Sequence, residues 1–314
     1  MLRSDQSSVA SVRCVGALIA SLCLLVPGTL SAQDRAVPSA GGGSGVAPQV
    51  PSLAPSAPSK TNVEQQKTDS MPVAPGAAPD AEKHAYPKAL KDMVDAHMAR
   101  RAYDPAIAAL SEAMTKEPSN ARLLMARSEA YCRQGKQQPC LEDANGAVTA
   151  DTDFADAYVH RATVRMLNLG RPAEALPDLE TVIKLTPNAP IGYFLRGYAQ
   201  RQLRNYSQSI ADFDQAIARE PKHALAHQNK GLTYYLWEKY DDAMVSASAA
   251  IGIDENRSQA WAIRGLSRLA RNDETNARTD LQKAISINGR DYYAQLGMQA
   301  LNVGRALDVY ATTK

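Results

Sequence analysis

Residues 190–223 read PIGYFLRGYAQRQLRNYSQSIADFDQAIAREPKH. Two apolar stripes at helical spacing flank Arg204-Asn205, and Pro221 closes the second because proline cannot continue a helix. Counted from Pro190 as position one, Tyr193 is at four, Gly197 at eight, Tyr206 at seventeen, Phe213 at twenty-four, Ala216 at twenty-seven and Pro221 at thirty-two. The spacing predicts helix, turn, helix, with Gly197 allowing close approach and the larger side chains filling the space beside it. One such hairpin cannot bury its own faces, so it needs neighbours built the same way.

The same numbering finds them on both sides. Residues 87–120 place Tyr103, Ala106, Leu110, Ala113 and Pro118 at seventeen, twenty, twenty-four, twenty-seven and thirty-two. Residues 121–154 place Leu124, Tyr131, Gly135, Cys140 and Ala147 in register, with Thr152 at the closing proline's position. Residues 155–189 carry Tyr158 and Ala162, then one extra residue that shifts Gly170, Ala175 and Pro187 by one. Residues 224–257 give Gly231, Tyr234, Tyr240, Ala243 and Ala250, and residues 258–291 give Trp261, Gly265, Ala277, Leu281 and Ala284. The last two units carry Glu255 and Gly289 in place of proline.

These six units, residues 87–291, resemble tetratricopeptide repeats, whose pattern has an aromatic at four, glycine or alanine at eight, alanine at twenty and proline at thirty-two. The resemblance implies an all-α fold, a right-handed α-solenoid of about six helix-turn-helix repeats. A further amphipathic helix is expected over residues 292–302, with Tyr293, Leu296, Ala300 and Leu301 on the face that caps the array, and a short tail over 303–314.

Ahead of the repeats, Arg3 and Arg13 precede an apolar run from Cys14 to Val26, then a turn and small residues. Residues 1–32 therefore read as a secretory signal peptide cut after Ala32. An uncleaved anchor is the alternative, although the run is shorter than the roughly 20 apolar residues of a membrane span. Residues 33–85 are dominated by proline, alanine, glycine and serine and read as a disordered linker. Export places the chain in the periplasm or outside the cell, or at the inner membrane if the leader is retained. That segment's Arg3, Arg13 and Asp5 account for the difference between a formal net charge of +2 and +1. Balanced charge gives no case for nucleic acid, which needs a clustered basic face.

With Cys14 and Cys23 removed, Cys132 and Cys140 remain, on either side of the turn at Gly135-Lys136. Antiparallel helices bring them to similar height. In an oxidising compartment they can form a disulfide, the alternative being ordinary buried cysteines. The lack of a CxxC pair speaks against a redox catalyst. His223 and His227 are four apart in PKHALAH, but His223 falls in an inter-repeat turn, and no metal site is expected. No nucleophile elbow, zinc-protease pair, phosphate-binding glycine loop or paired carboxylates stand out. No enzyme and no cofactor are expected; an enzyme or small-ligand binder would need a compact pocket of converging polar groups.

The informative surface is a second stripe on the first helix of each unit, at positions two, five, nine and twelve. The resemblance implies that these positions face a concave groove that holds a peptide or helix of a partner. Units four to six supply Ile191, Phe194, Tyr198 and Arg201, then Leu225, Gln228, Leu232 and Tyr235, then Ala262, Leu266 and Leu269. Units one and two supply Lys88, Lys91, Asp95 and Met98, then Arg122, Met125 and Glu129. The expected groove, which Arg122 also lines, takes an apolar or amphipathic segment at its C-terminal half, with Arg201, Lys88 and Lys91 orienting acidic groups. The alternative is that several of these residues pack against adjacent helices, or that the linker or cap folds into the groove. Repeats of the family that clamp a chaperone's C-terminal carboxylate have a fixed pattern. Lys91 fits it, while Asp95, Ala126, Asp156 and His160 do not. The reading is an exported protein-interaction scaffold, with an accessory subunit of an envelope assembly, secretion or polysaccharide-export machine as the alternative.

Overall fold

A computed structural model describes residues 86–312, with side chains through Asn302. The expected leader, residues 1–32, and linker, residues 33–85, lie outside the described residues, as do the last two residues of the tail. Among the described residues there are thirteen α-helices and no strand. Unit one is α1 (Lys88–Ala99) and α2 (Tyr103–Met114), and unit two is α3 (Ala121–Gln134) and α4 (Gln137–Ala150). Unit three is α5 (Ala155–Thr163) and α6 (Pro172–Leu185); unit four is α7 (Pro190–Gln202) and α8 (Tyr206–Arg219). Unit five is α9 (Ala224–Leu236) and α10 (Tyr240–Ile253), unit six is α11 (Ser258–Ala270) and α12 (Glu274–Ile287), and α13 (Tyr292–Thr312) follows. Each helix packs on its sequence neighbours, so the array is an α-solenoid with a core continuous along its stack.

The two turns of each repeat have separate causes. Between the paired helices, position fifteen takes a left-handed backbone in every unit: Arg101, Gly135, Gly170, Arg204, Glu238 and Asn272, with φ between 59° and 84°. Glycine adopts this at no steric cost, whereas Arg101, Arg204 and Glu238 carry a Cβ there. Between units, the backbone N–H at position thirty-four donates to the carbonyl at thirty-one, as in His223 to Glu220 at 3.0 Å and Asp291 to Asn288 at 3.0 Å. Where the closing proline is missing, an Asx turn takes its place. Asp151 Oδ1 accepts from the Asp153 N–H, Asp254 Oδ1 from the Asn256 N–H and Asn288 Oδ1 from the Arg290 N–H, each at 3.0 Å.

Unit three's extra residue is absorbed inside its first helix. The helix widens to a π-turn over Val164–Asn168, where the Leu169 N–H reaches back to the Val164 carbonyl at 3.2 Å. From there on the register runs one residue late.

Small residues line the contact between paired helices. Ala162, Ala175, Ala216, Ala243, Ala250, Ala277 and Ala284 are fully buried. At Gly197 a Cβ would sit 3.1 Å from both the Phe213 ring and the Ser209 carbonyl, so the second helix crosses where only glycine fits without displacement. At the far end, α13 packs on α11 and α12 through Ala294, Gly297 and Leu301, a stripe at helical spacing. The expected capping face holds in part: Leu301 is buried and Tyr293 packs half-buried on the same cluster, but Ala300 is exposed, Leu296 is only half-buried, and the helix continues to Thr312 where a tail was expected. The buried stripe runs through the small residues because Leu281 and Leu266 lie directly against Gly297.

Candidate partner-binding face

In units four to six, positions five and nine of the first helices are interior, which corrects most of the expected apolar lining. Phe194 is 1% exposed, Tyr198 2%, Leu232 3%, Gln228 4% and Leu266 6%. The Phe194 ring stacks on His223 at 5.2 Å and meets Phe213 at 5.8 Å. Leu232 packs with Ala247 and Ile263, and Leu266 is covered by Gly297 and Leu281. Leu225 and Ala262 are buried as well. The physical reason is that first helices of neighbouring units touch, α9 against α11, at the side-chain-limited spacing of packed helices. Positions five and nine fall between them.

Position twelve stays open in units four to six, and position two does so at Ile191 but not at Leu225. Ile191 at position two and Arg201, Tyr235 and Leu269 at position twelve are all half-buried, and the last three recur on consecutive units. The Arg201 guanidinium lies over the Tyr198 ring, 4.8 Å from its centre, and donates from Nη2 to Asn229 Oδ1 at 3.1 Å. Its Nε is buried with no hydrogen-bond partner among the described residues. Tyr235 meets Tyr240 at 5.9 Å, and burial, with Tyr240 and Tyr293 nearby, pushes its phenol up to about 12. Arg201, Tyr235 and Leu269 thus offer a cation, a hydroxyl and an apolar side chain at the same position of three successive units.

The charged end differs from expectation in a second way. Lys88 bonds Asp92 at 2.9 Å, and Lys91 bonds Asp95, each pair four residues apart on α1. Both lysines expected to orient a ligand's acidic groups therefore already face a carboxylate on their own helix. The Arg122 guanidinium sits 5.3 Å from the centre of the Phe154 ring. Burial pushes the Glu129 carboxyl up, against the pull of Arg133 at 2.6 Å. Asp156 is pushed up the same way, with Arg122 opposing. Met98 and Met125 are half-buried.

Cys132 and Cys140 are joined by a disulfide across the α3–α4 hairpin, with Cα atoms 5.2 Å apart. His223 caps α9, its Nδ1 accepting from the Ala226 N–H at 3.3 Å, and His227 Nε2 lies 3.1 Å from the Pro221 carbonyl oxygen. No cluster of three or more potential metal-binding side chains occurs among the described residues.

Two features escaped the sequence reading. An arginine at position seven clips four of the six hairpins: Arg127 to Asp143, Arg161 to Asp178, Arg196 to Asp212 and Arg264 to Asp280, each through two donors. Arginine at seven with aspartate at twenty-three was the available signal. The second is an aromatic edge at the turn of unit five, where Trp237 is 37% exposed, 6.3 Å from the Tyr206 ring and under the Lys239 ammonium at 3.6 Å.

Residues 166–208 and 194–259 match the tetratricopeptide repeat family. The chain is 26% identical over 225 residues to the mitochondrial import receptor subunit TOM70 of Homo sapiens, covering 58% of this chain and 36% of that protein. It is 36% identical over 99 residues to serine/threonine-protein phosphatase 5 of Rattus norvegicus, covering 32% of this chain and 20% of that one. The chain thus spans about a third or less of the length of these relatives. Among solved structures, PilW, described as a widely conserved type IV pilus biogenesis factor, superposes with a TM-score of 0.60 at 16% identity. The superposition covers 68% of this chain and all of PilW, a likeness of fold.

Proposed function

We propose, with tetratricopeptide repeats as the premise, that this chain is a protein-interaction scaffold that holds a segment of a partner protein and performs no catalysis. The observation that carries the reading is the run of half-open side chains at position twelve, Arg201, Tyr235 and Leu269, continued at position two by Ile191. An apolar path about three units long, with an arginine at one end, suits an amphipathic helix or extended peptide bearing an acidic group. Arg201 supplies the orienting charge, since Lys88 and Lys91 are paired on α1. The same proposal takes residues 1–32 as an export signal, so the partner is met in the periplasm or outside the cell.

Capture from an envelope extract tests it, with the full chain as bait beside a variant carrying Arg201→Glu, Tyr235→Ser and Leu269→Asp, its helicity checked by circular dichroism. A partner held by the parent and lost by the folded variant supports the reading. Equal capture by both sinks it.

A further inference from the structure

The Cys132–Cys140 bridge is asymmetric in its surroundings. Cys140 is fully buried, packed with Ala144 and Val164, whereas Cys132 at position twelve of α3 is half-buried and reaches solvent. A polar chain runs to the buried sulfur. Ser128 Oγ lies 2.6 Å from the Cys140 carbonyl, to which it donates, and 3.6 Å from Cys140 Sγ. His160 Nε2, on α5 of the next unit, lies 2.8 Å from the same Ser128 oxygen. Ser128 and His160 are themselves buried. With the Ser128 hydroxyl proton on the carbonyl, its lone pair takes the His160 N–H, and the imidazole is held neutral by burial.

We infer that this bridge is a thiol-exchange site, opened by an external thiol at Cys132 with Cys140 as the leaving sulfur. The thiolate of a small thiol attacks Cys132 Sγ in line with the existing bond. A new bond forms between the attacking sulfur and Cys132, the Cys132–Cys140 bond breaks, and its electron pair leaves on Cys140 as a thiolate. The Ser128 hydroxyl is already within 3.6 Å of that sulfur and turns from the carbonyl to donate to it. A buried thiolate without such a donor would be costly, so the serine decides which sulfur leaves. A second thiol then attacks the external sulfur of the mixed disulfide, releasing Cys132 as a thiolate and the oxidised small disulfide. Two electrons from two thiols balance the reduction. Because position twelve borders the candidate partner-binding face, the adduct on Cys132 places a new bulky group at that face's charged end.

The test uses the oxidised full chain with reduced glutathione, quenched by acid, then unfolded, alkylated with N-ethylmaleimide and digested with trypsin. Cys132 falls in the peptide SEAYCR, residues 128–133, and Cys140 in a separate peptide, residues 137–161. The expected result is glutathione on SEAYCR and N-ethylmaleimide on the other peptide, with helicity unchanged. Glutathione on Cys140, or an adduct that forms only in denaturant, overturns the proposal. Ser128→Ala is expected to slow the first exchange about fivefold, the rate equivalent of one hydrogen bond. His160→Gln, which keeps a donor for Ser128, is expected to leave the rate within about twofold of the parent. An unchanged rate in a folded Ser128→Ala chain removes the serine's role.

Discussion

Arg264 grips Asp280 with two donors, Nε and Nη2, each 2.9 Å from a different carboxylate oxygen, and its third nitrogen reaches Ser248 of the preceding unit at 3.1 Å. Arg127 and Arg161 repeat the arrangement, with Ser111 and Asn145 as the cross-unit partners. In unit five a lysine stands in: Lys230 meets Asp214 of unit four at 2.6 Å, keeping the cross-unit contact. The ladder thus ties the hairpins of units two, three, four and six internally, and units two, three, five and six to the one before. Asp280 also accepts from Arg268 at 2.7 Å, so removing its carboxylate leaves two partly buried guanidiniums uncompensated. Asp280→Ala is expected to cost about 3 kcal/mol. Lys230→Ala, whose partner Asp214 is half exposed, is expected to cost under about 1 kcal/mol. Thermal melts of the two variants check the contrast, and equal shifts would contradict it.

Position fifteen offers stabilising substitutions. Arg204 at φ 61° and Glu238 at φ 62° hold a side chain where glycine sits in units two and three. Arg204→Gly and Glu238→Gly each relieve a left-handed strain of roughly 1 kcal/mol, partly offset by the greater freedom of the unfolded chain. Each is expected to raise the melting temperature by a degree or more. Gly135→Ala, at φ 84°, is expected to lower it.

How much of this was legible follows from what each residue type announces. The repeats could be read because their small and apolar residues recur at fixed spacing and are demanded by helix contact. The six units' helices start at Lys88, Ala121, Ala155, Pro190, Ala224 and Ser258, at or next to the first residue of each interval. Arg127 and Asp143 went unread as a pair, because a single charged residue on a helix looks the same solvated or bonded, and only the recurrence of arginine at seven with aspartate at twenty-three marks them. The stripe at positions five and nine was misjudged for a related reason. Phe194 and Leu232 have the chemistry of either a groove lining or a core, and only the spacing of neighbouring helices decides between them. The extra residue in unit three showed as a shift of register, but its absorption in a π-turn is a backbone event without a residue signature. Asp254 and Asn288 did carry a signal, an Asx turn where proline was missing, that went unread.

The Asx turns give a swap experiment. Asp254→Ala removes the bond to the Asn256 N–H and is expected to cost about 1 kcal/mol. Asp254 has φ −148° and ψ 103°, an extended conformation compatible with a following proline. Adding Glu255→Pro therefore rebuilds the turn as the other units make it and is expected to restore most of the loss. No recovery in the double variant would mean that the two turn chemistries are not interchangeable here.

Acid is expected to weaken the fold through His160. Burial lowers its pKa from 6.5 to about 4, so in the folded chain it stays neutral where the unfolded chain is protonated. The unfolded state binds the extra proton between these values. Stability then falls as pH drops from about 6.5 to about 4, by as much as about 3 kcal/mol for this one group. His223, lowered to about 4 chiefly by burial, acts in the same direction. Asp291 and Glu129, pushed up mainly by burial, act in the opposite sense at the acid end of the window. Urea titrations across that range, repeated on His160→Gln, check the sign: the variant's stability should vary less with pH.

Tyr198 and Tyr235 separate packing from partner binding. Both fall on the stripe that the repeat pattern assigns to a concave face, yet Tyr198 is 2% exposed beneath the Arg201 guanidinium while Tyr235 is half-open. Tyr198→Ala opens a cavity in unit four and is expected to cost about 3 kcal/mol or more. That loss would appear in the melting temperature whether or not a partner is present. Tyr235→Ala removes a ring that is already partly in water and is expected to cost about 1 kcal/mol. Its larger effect should fall on partner capture, because a half-buried aromatic at position twelve has surface left to lose on binding. Melting and capture measured on the same two variants resolve the roles. If Tyr235→Ala destabilises as much as Tyr198→Ala, position twelve is core as well, and the open path along units four to six does not exist.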